Sequence, residues 1–572
     1  MSISIDRRAL LRGSAVAGGT AALAAWFPAW AQPVSPGIAR PLPTLSGEDI
    51  HLRIAHQMLT IDGRTHHAIG INGAIPAPLI RLREGQRARL HVENALDEDS
   101  SIHWHGLIVP AEMDGVPGVS FPGIRPGETF VYDFPIVQSG TYWYHSHSGL
   151  QEQVGHYGPI VIDPAGQDPI ASDREHVIVL SDHSPLHPHA IFRRLKMQGG
   201  YFNRQQQTLG SLLAGRDQKE SDRLKWAAMR MDPTDISDVT ASTYTYLVNG
   251  HGPRDNWTAL FAPGERVRLR VVNASAMTTF NLRIPGLPLT VVQADGQDVR
   301  PVTVDELQVA VAETYDLIVT PRDDRAYAIV GESIDRSGMA LATLAPREGM
   351  AAEAPPLRPR PLATMRDMGM DMGGTAMGGM HMPGMDHGAM KHSMRDFAAA
   401  PEVARTPAVQ TISPMPMDRT GEPGQGLADV GHRVLTYRDL VAAGRNPDVR
   451  APSRQMRIHL TGNMERYMWA FDGEKLSAVT APIPFRKDER VRVTLVNDTM
   501  MGHPIHLHGH FFELVTGHGD HAPRKHTVQV QPGGTATFDV TASALGDWAF
   551  HCHLLYHMHA GMMQIVSVRE AA

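Results

Sequence analysis

The sequence predicts an all-β protein of three consecutive two-sheet sandwich domains, with a helical insertion in the middle domain and a methionine-rich linker before the third. Its 572 residues exceed what one hydrophobic core serves. Three segments, EGQRARLHVEN (84–94), PGERVRLRVVN (263–273) and KDERVRVTLVN (487–497), align without gaps. Each opens on a turn-like pair and runs through alternating residues to Asn94, Asn273 or Asn497, which is strand periodicity. The copies lie a domain's length apart, far beyond a solenoid period. The repeated unit is therefore a β domain.

In chain order, residues 1–31 read as a twin-arginine signal peptide. They carry Arg7 and Arg8, a Gly- and Ala-rich apolar stretch too short for an anchor, and the small-x-small site Ala29-Trp30-Ala31. The expectation is export to the periplasm by the Tat pathway, with no stable membrane span afterwards. Residues 32–166 form the first domain and 167–350 the second. Within the second, alternation lapses over about 185–232, where RRLKMQGGYFNRQQQTLGSLLAGRDQKESDRLKWAAMRM is amphipathic at helical spacing. Residues 351–405 are the linker. Its stretch 365–394 holds 10 of the 29 methionines and is Gly-rich, without a period suited to a core. Residues 406–572 form the third domain. A net charge of −7 gives no basic field for nucleic acid.

The chemistry lies in the first and third copies. Nine residues after Asn94 stands HWH (103–105), and nine after Asn497 stands HLH (506–508). The stretch 126–147 ends in HSH and matches 532–553, which ends in HCH. In a strand, residues i and i+2 share a face, so each motif presents two imidazoles together. His103, His105, His145, His147, His506, His508, His551 and His553 are thus eight candidate ligands, enough for a cluster of three metal ions. One such pair reads equally well as buried, hydrogen-bonded histidine; four at matched positions point to metal. The middle copy has Leu282 and Ile284 at the corresponding places and carries no such signal.

Cys552 is the single cysteine and points away from its flanking histidines. With His503, His557 and Met562 it makes the set of two histidines, one cysteine and a long axial methionine that builds a blue-copper electron-transfer site. An inert buried cysteine is the plainer alternative.

HWHG, HSH, HPIHLHG and HCHLLYHMHAGM resemble the multicopper oxidase family at all four copper motifs. SSIHWHG, SGTYWYHSHSGLQEQ, VNDTMMGHPIHLHG and ALGDWAFHCHLLYHM are similar to its periplasmic copper-resistance members. The resemblance spans nearly the whole mature chain. It implies three cupredoxin-like Greek-key domains and four copper ions. His103 and His506 would hold type 2 copper. His105, His145 and His553 would hold one type 3 copper, and His147, His508 and His551 the other. It implies that O2 is reduced to water, four electrons at a time. Asp114, in EMDGVPG, stands where many members have an acid near the cluster, and reads equally as a turn cap before Gly115. Where many relatives carry an acid directly after the histidine matching His557, this chain has Met558.

The electron donor is read from the linker. Thioethers favour Cu(I), so Met365, Met368, Met370, Met372, Met377, Met380, Met382, Met385, Met390 and Met394, with His381, His387 and His392, are auxiliary copper candidates. The alternative is methionine as an adaptable apolar filler. Cu(I) oxidation in copper resistance is the expected function, with Asp498, aided by Met500 and Met501, docking Cu(I) beside His503. A laccase-like oxidase of small phenols and a copper-sequestering protein are the rivals. Other periplasmic copper-handling proteins are expected partners.

Overall fold

The computed structural model describes residues 38–370 and 394–570. The expected signal peptide lies outside the described residues, as do Met372, Met377, Met380, His381, Met382, Met385, His387, Met390 and His392.

The repeated segment is a central strand three times over. Arg87–Asn94 pairs parallel with Asp49–Ile61 and antiparallel with Thr129–Pro135. Val267–Asn273 lies in the same way between Arg174–His183 and Thr314–Val319, and Arg490–Asn497 between Arg454–Asn463 and Gly534–Thr541. Alternation does what it predicts: Ala88, Leu90 and Val92 are buried, while Arg87 and Arg89 face solvent. The terminal asparagines have a common task. Each is fully buried, donates its amide to two backbone carbonyls and accepts from the backbone N–H two residues on. The side chain closes the turn where the chain leaves one sheet for the other.

In the first domain the second sheet runs Thr44–Ser46, Leu79–Arg83, Tyr157–Asp163, Gly140–His145, His103–His105. The middle domain packs a six-stranded sheet on a five-stranded one, and the third a seven-stranded on a five-stranded. One apolar core runs from the middle domain into the third; the first has its own, which Phe511 of the third domain joins. Buried ions clamp the joints. Lys525, fully buried, lies 3.0 Å from Asp295 and 3.1 Å from Glu313 across the second joint. Arg270 reaches both Asp316 at 2.9 Å and the Thr141 hydroxyl at 3.0 Å across the first. Charges this buried persist only when paired.

The insertion is helical in pieces: Pro188–Met197, Leu209–Leu213 and Glu220–Met229, with a 3-10 turn Gly199–Phe202. It lies on the third domain, where Lys196 donates to the Tyr467 carbonyl at 2.8 Å and Arg230 pairs with Glu465 at 2.9 Å. Between 406 and Arg454 the only strand among the described residues is Met417–Asp418, which pairs with Gly534–Thr541 of the third domain, while Val434 and Ala442 bridge to Glu306 and Val299 of the middle one. The ends of the methionine segment are packed: Met368 is buried and Met365, Met370 and Met394 lie against the same cluster. Unbranched thioethers fill the irregular gap between insertion and third domain.

Candidate metal centre

The His-x-His strands face one another across the joint of the first and third domains. His103 stands opposite His145 in one sheet, and His506 opposite His551 in the other. The turn after the first pair packs back on the strand's start and needs a glycine: Gly115 has φ +79°, and a Cβ there would lie 1.8 Å from the Ile102 carbonyl oxygen.

Three imidazole sets result, each with ligand atoms within 4.8 Å of one another: His103–His105–His506, His105–His145–His553 and His147–His508–His551. All but His147 are buried. Burial, then the neighbouring imidazoles, holds His105, His145, His147, His506, His508 and His553 well below the ordinary histidine pKa, and burial brings His551 down to about 4. The rings are therefore neutral and able to ligate. Nε2 of His103, His145, His147, His506 and His553, and Nδ1 of His105, are buried without a hydrogen-bond partner. Buried polar atoms are paired with few exceptions; six converging orphans of one chemical type fit metal ions.

A second set stands behind the first. Cys552 Sγ lies 3.5 Å from His503 Nδ1 and 3.9 Å from His557 Nδ1, with the two Nδ1 atoms 3.3 Å apart. All three residues are fully buried, as is Met562. Met562 is held close because the Cys552 N–H donates to its carbonyl at 3.1 Å. Burial pushes the Cys552 thiol up, so a thiolate there requires a cation. Trp469 stacks on His557 at 3.8 Å.

Residues 53–167, 216–348 and 450–572 match sequence models described as multicopper oxidase. Copper resistance protein A of Escherichia coli is 47% identical, with all of both chains covered. The chain belongs to the multicopper oxidase family. Copper resistance protein A of Pseudomonas syringae pv. tomato is 46% identical, again over all of both chains. The laccase of Botrytis aclada superposes with a TM-score of 0.64 at 20% identity, covering 93% of this chain and 88% of that one, and shows the cupredoxin-like fold. This multicopper oxidase is thus an oxidoreductase whose cofactors are copper ions, with O2 and a reductant as substrates. The two ligand sets offer donors of the right kind: neutral imidazoles for the cluster, and thiol, imidazole and thioether for the single site. Among the described residues no helix is long and apolar enough to cross a membrane.

Asp114, a candidate by position, is fully buried, and His508 Nδ1 donates to its Oδ2 at 2.8 Å. Its backbone N–H also closes the short turn Ala111–Met113 by donating to the Ala111 carbonyl at 3.1 Å. Asp498 lies elsewhere than expected. Its carboxylate is taken by the Ser413 N–H at 2.8 Å and by His459 Nδ1 at 2.7 Å, and the contact with His503 Nε2 comes from the Thr499 hydroxyl at 2.8 Å. Alternation explains this: Asp498 and Thr499 point to opposite sides of the chain as it leaves the strand.

The structure adds two acids that the sequence did not single out. Asp238, following the insertion, accepts from His557 Nε2 and from the Tyr467 hydroxyl, each at 2.7 Å. Glu152 Oε2 lies 2.7 Å from His145 Nδ1. Asp238 belongs to no motif and meets His557 across 319 residues of chain. Glu152 sits in LQEQ, two residues beyond HSH, and proximity to that motif was the available signal.

Proposed function

We propose that this multicopper oxidase is a periplasmic cuprous oxidase of copper resistance, exported by the Tat pathway. Four Cu(I) ions and four protons are consumed per O2, giving four Cu(II) and two waters. The carrying observation is a methionine cluster on the electron-donor side. Met229 and Met231 of the insertion, Met365, Met368, Met370 and Met394 of the linker ends, and Met464 and Met500 of the third domain gather around Trp226. Met500 is three residues from His503. A cleft of about 420 Å³ opens there, lined by Met231, Met464, Met500, Asp232, Asp235 and Glu465. Asp235 is buried, and its Oδ1 has no partner. Thioethers suit Cu(I), and the three acids of the cleft favour the approach of a cation. The relatives named for copper resistance support the physiological role.

His503, Cys552, His557 and Met562 are assigned to type 1 copper, His103 and His506 to type 2, His105, His145 and His553 to one type 3 copper, and His147, His508 and His551 to the other. When bound, the copper ions supply one-electron transfer at the cysteine site and O2 reduction at the histidine cluster. The chain's own residues do the rest. Asp238 holds His557 with Nδ1 turned toward Cys552, and Thr499 does the same for His503. His551 and His553 flank Cys552, so the covalent path between the two sets is one residue long on either side. Asp114 holds and passes a proton at its unpartnered Oδ1, while Oδ2 accepts from His508 Nδ1. Met558 packs against apolar neighbours and contributes none.

The test is oxygen uptake by copper-loaded protein given a Cu(I) complex or a phenol. Uptake with Cu(I) that weakens at low Cu(I) in Met464→Leu/Met500→Leu supports the reading. Uptake with the phenol alone sinks it. Arg7→Lys/Arg8→Lys in cells tests export, the expected result being loss of the periplasmic pool.

A further inference from the structure

The short turn Gln151–Val154 is more heavily bonded than a connecting loop requires. Gln151, Glu152 and Gln153 are all buried, and Gly155 closes the turn at φ +116°. Gln151 accepts from the Ser100 and Ser146 hydroxyls at 2.8 and 2.9 Å and donates to Glu98 and to the Asp99 carbonyl, each at 2.9 Å. Gln153 donates to Asp182 at 3.2 Å and accepts from the hydroxyls of Tyr244 and Tyr556. The turn is therefore fixed from both sides, in the first domain by Gln151 and in the second and third by Gln153. Glu152, between them, has one direction left, toward His145.

There its Oε2 lies 2.7 Å from His145 Nδ1, while Oε1 is buried with no partner. No other polar partner of the carboxylate is found among the described residues. An acid 2% exposed without a cation is costly. The other cluster rings show what is unusual here. Nδ1 of His103, His506 and His551 donates to backbone carbonyls at 2.8, 2.7 and 3.0 Å. Nδ1 of His508 donates to a carboxylate, Asp114. His145 also has a carbonyl in reach, that of Ser146 at 3.1 Å, yet the carboxylate is closer. Each of the two sets assigned to type 3 copper thus has one ring with a carboxyl oxygen against its Nδ1: Asp114 on His147–His508–His551, and Glu152 on His105–His145–His553.

We propose that Glu152 is a positioning residue of the trinuclear cluster, the counterpart of Asp114 on the opposite type 3 copper. This rests on the copper assignment above but not on the choice of Cu(I) as donor. Glu152 accepts the Nδ1 proton of His145, fixes the tautomer and the ring plane, and leaves Nε2 as the ligating atom. The Glu152 oxygen takes the place that a backbone carbonyl fills on His103, His506 and His551.

The experiment uses full-length, copper-loaded protein with Glu152→Ala, Glu152→Gln and Glu152→Asp. It reads copper per chain after dialysis against a graded chelator, the near-ultraviolet band and silent EPR of a coupled type 3 pair, and the visible type 1 band as internal control. Expected is a 10–100-fold weaker retention of cluster copper in Glu152→Ala. The type 3 band should be lost or uncoupled and the type 1 band kept. Gln, which keeps the volume but replaces one carboxyl oxygen by an amide, should fall between Ala and wild type, and Asp should restore part of the loss. If Glu152→Ala fails to fold, Glu152→Gln decides. A Gln variant with wild-type retention and spectrum overturns the proposal. Wild-type protein with no type 3 band at all would instead overturn the copper assignment beneath it.

Discussion

Asp238 shows how a single side chain sets the direction of a site. Both ring nitrogens of His557 are committed, Nε2 to Asp238 and Nδ1 toward Cys552, so the imidazole cannot turn without costing a buried carboxylate one of its two donors, the other being the Tyr467 hydroxyl. Asp238→Asn keeps the shape but weakens the acceptor. It is predicted to lower turnover about 10-fold, at the mild end of what such partners contribute, with copper content unchanged and the visible type 1 band shifted. Stopped-flow reduction by Cu(I) checks it; an unaltered rate would make Asp238 a packing residue only. The eight cluster histidines were legible because strand periodicity puts i and i+2 on one face. Glu152 and Asp238 were not, because they sit on a turn and after an insertion, where no short period fixes direction. Asp498 was misplaced for a related reason: nearness in sequence to His503 is not nearness of side chains, and its neighbour Thr499 is the one that faces the ring.

Among elements, the thrice-repeated strand carries the fold, and its terminal asparagine offers a test separate from copper. Asn273 lies in the domain without ligands and makes three buried hydrogen bonds. Asn273→Ala is predicted to destabilise by about 2–4 kcal/mol, since two buried carbonyls lose their donor. Denaturant unfolding would read this as a lower midpoint with unchanged copper spectra. The repeat was legible because the alternation and the asparagine both recur. The role of the methionine segment was legible only in part. Composition marked it as copper-seeking, but its ends pack into a cluster with Trp226 and Met500, a tertiary arrangement that low complexity hides. Deleting 371–393 while sparing those ends is predicted to leave oxygen uptake at saturating Cu(I) nearly unchanged and to reduce it at low Cu(I). An equal loss at both would place the whole segment in the catalytic fold.

For the molecule as a whole, the proposed cluster ligands come from the first and third domains, so copper bound there would act as a cross-link between them. Removing copper should lower the unfolding temperature by the linkage of binding to folding, and restoring it should recover the loss. The copper-free protein has a defined pH response. His105, His145, His147, His506, His508, His551 and His553 have folded pKa values below the ordinary value near 6.5, so below that pH the unfolded chain binds more protons than the folded one. Stability is then full above about pH 6.5 and falls as pH drops toward 4, where His551 titrates in the folded state. Calorimetry of the apo form between pH 7.5 and 4 checks the sign; stability rising on acidification would contradict it.

The central claim is Cu(I) oxidation at the cysteine site, and oxygen uptake with a Cu(I) complex, recorded together with Cu(II) formed, tests it most directly. The account predicts four Cu(II) per O2 in the copper-loaded enzyme and loss of that uptake in Cys552→Ser. Uptake that ignores Cu(I) while following a phenol, or that survives Cys552→Ser, would contradict it.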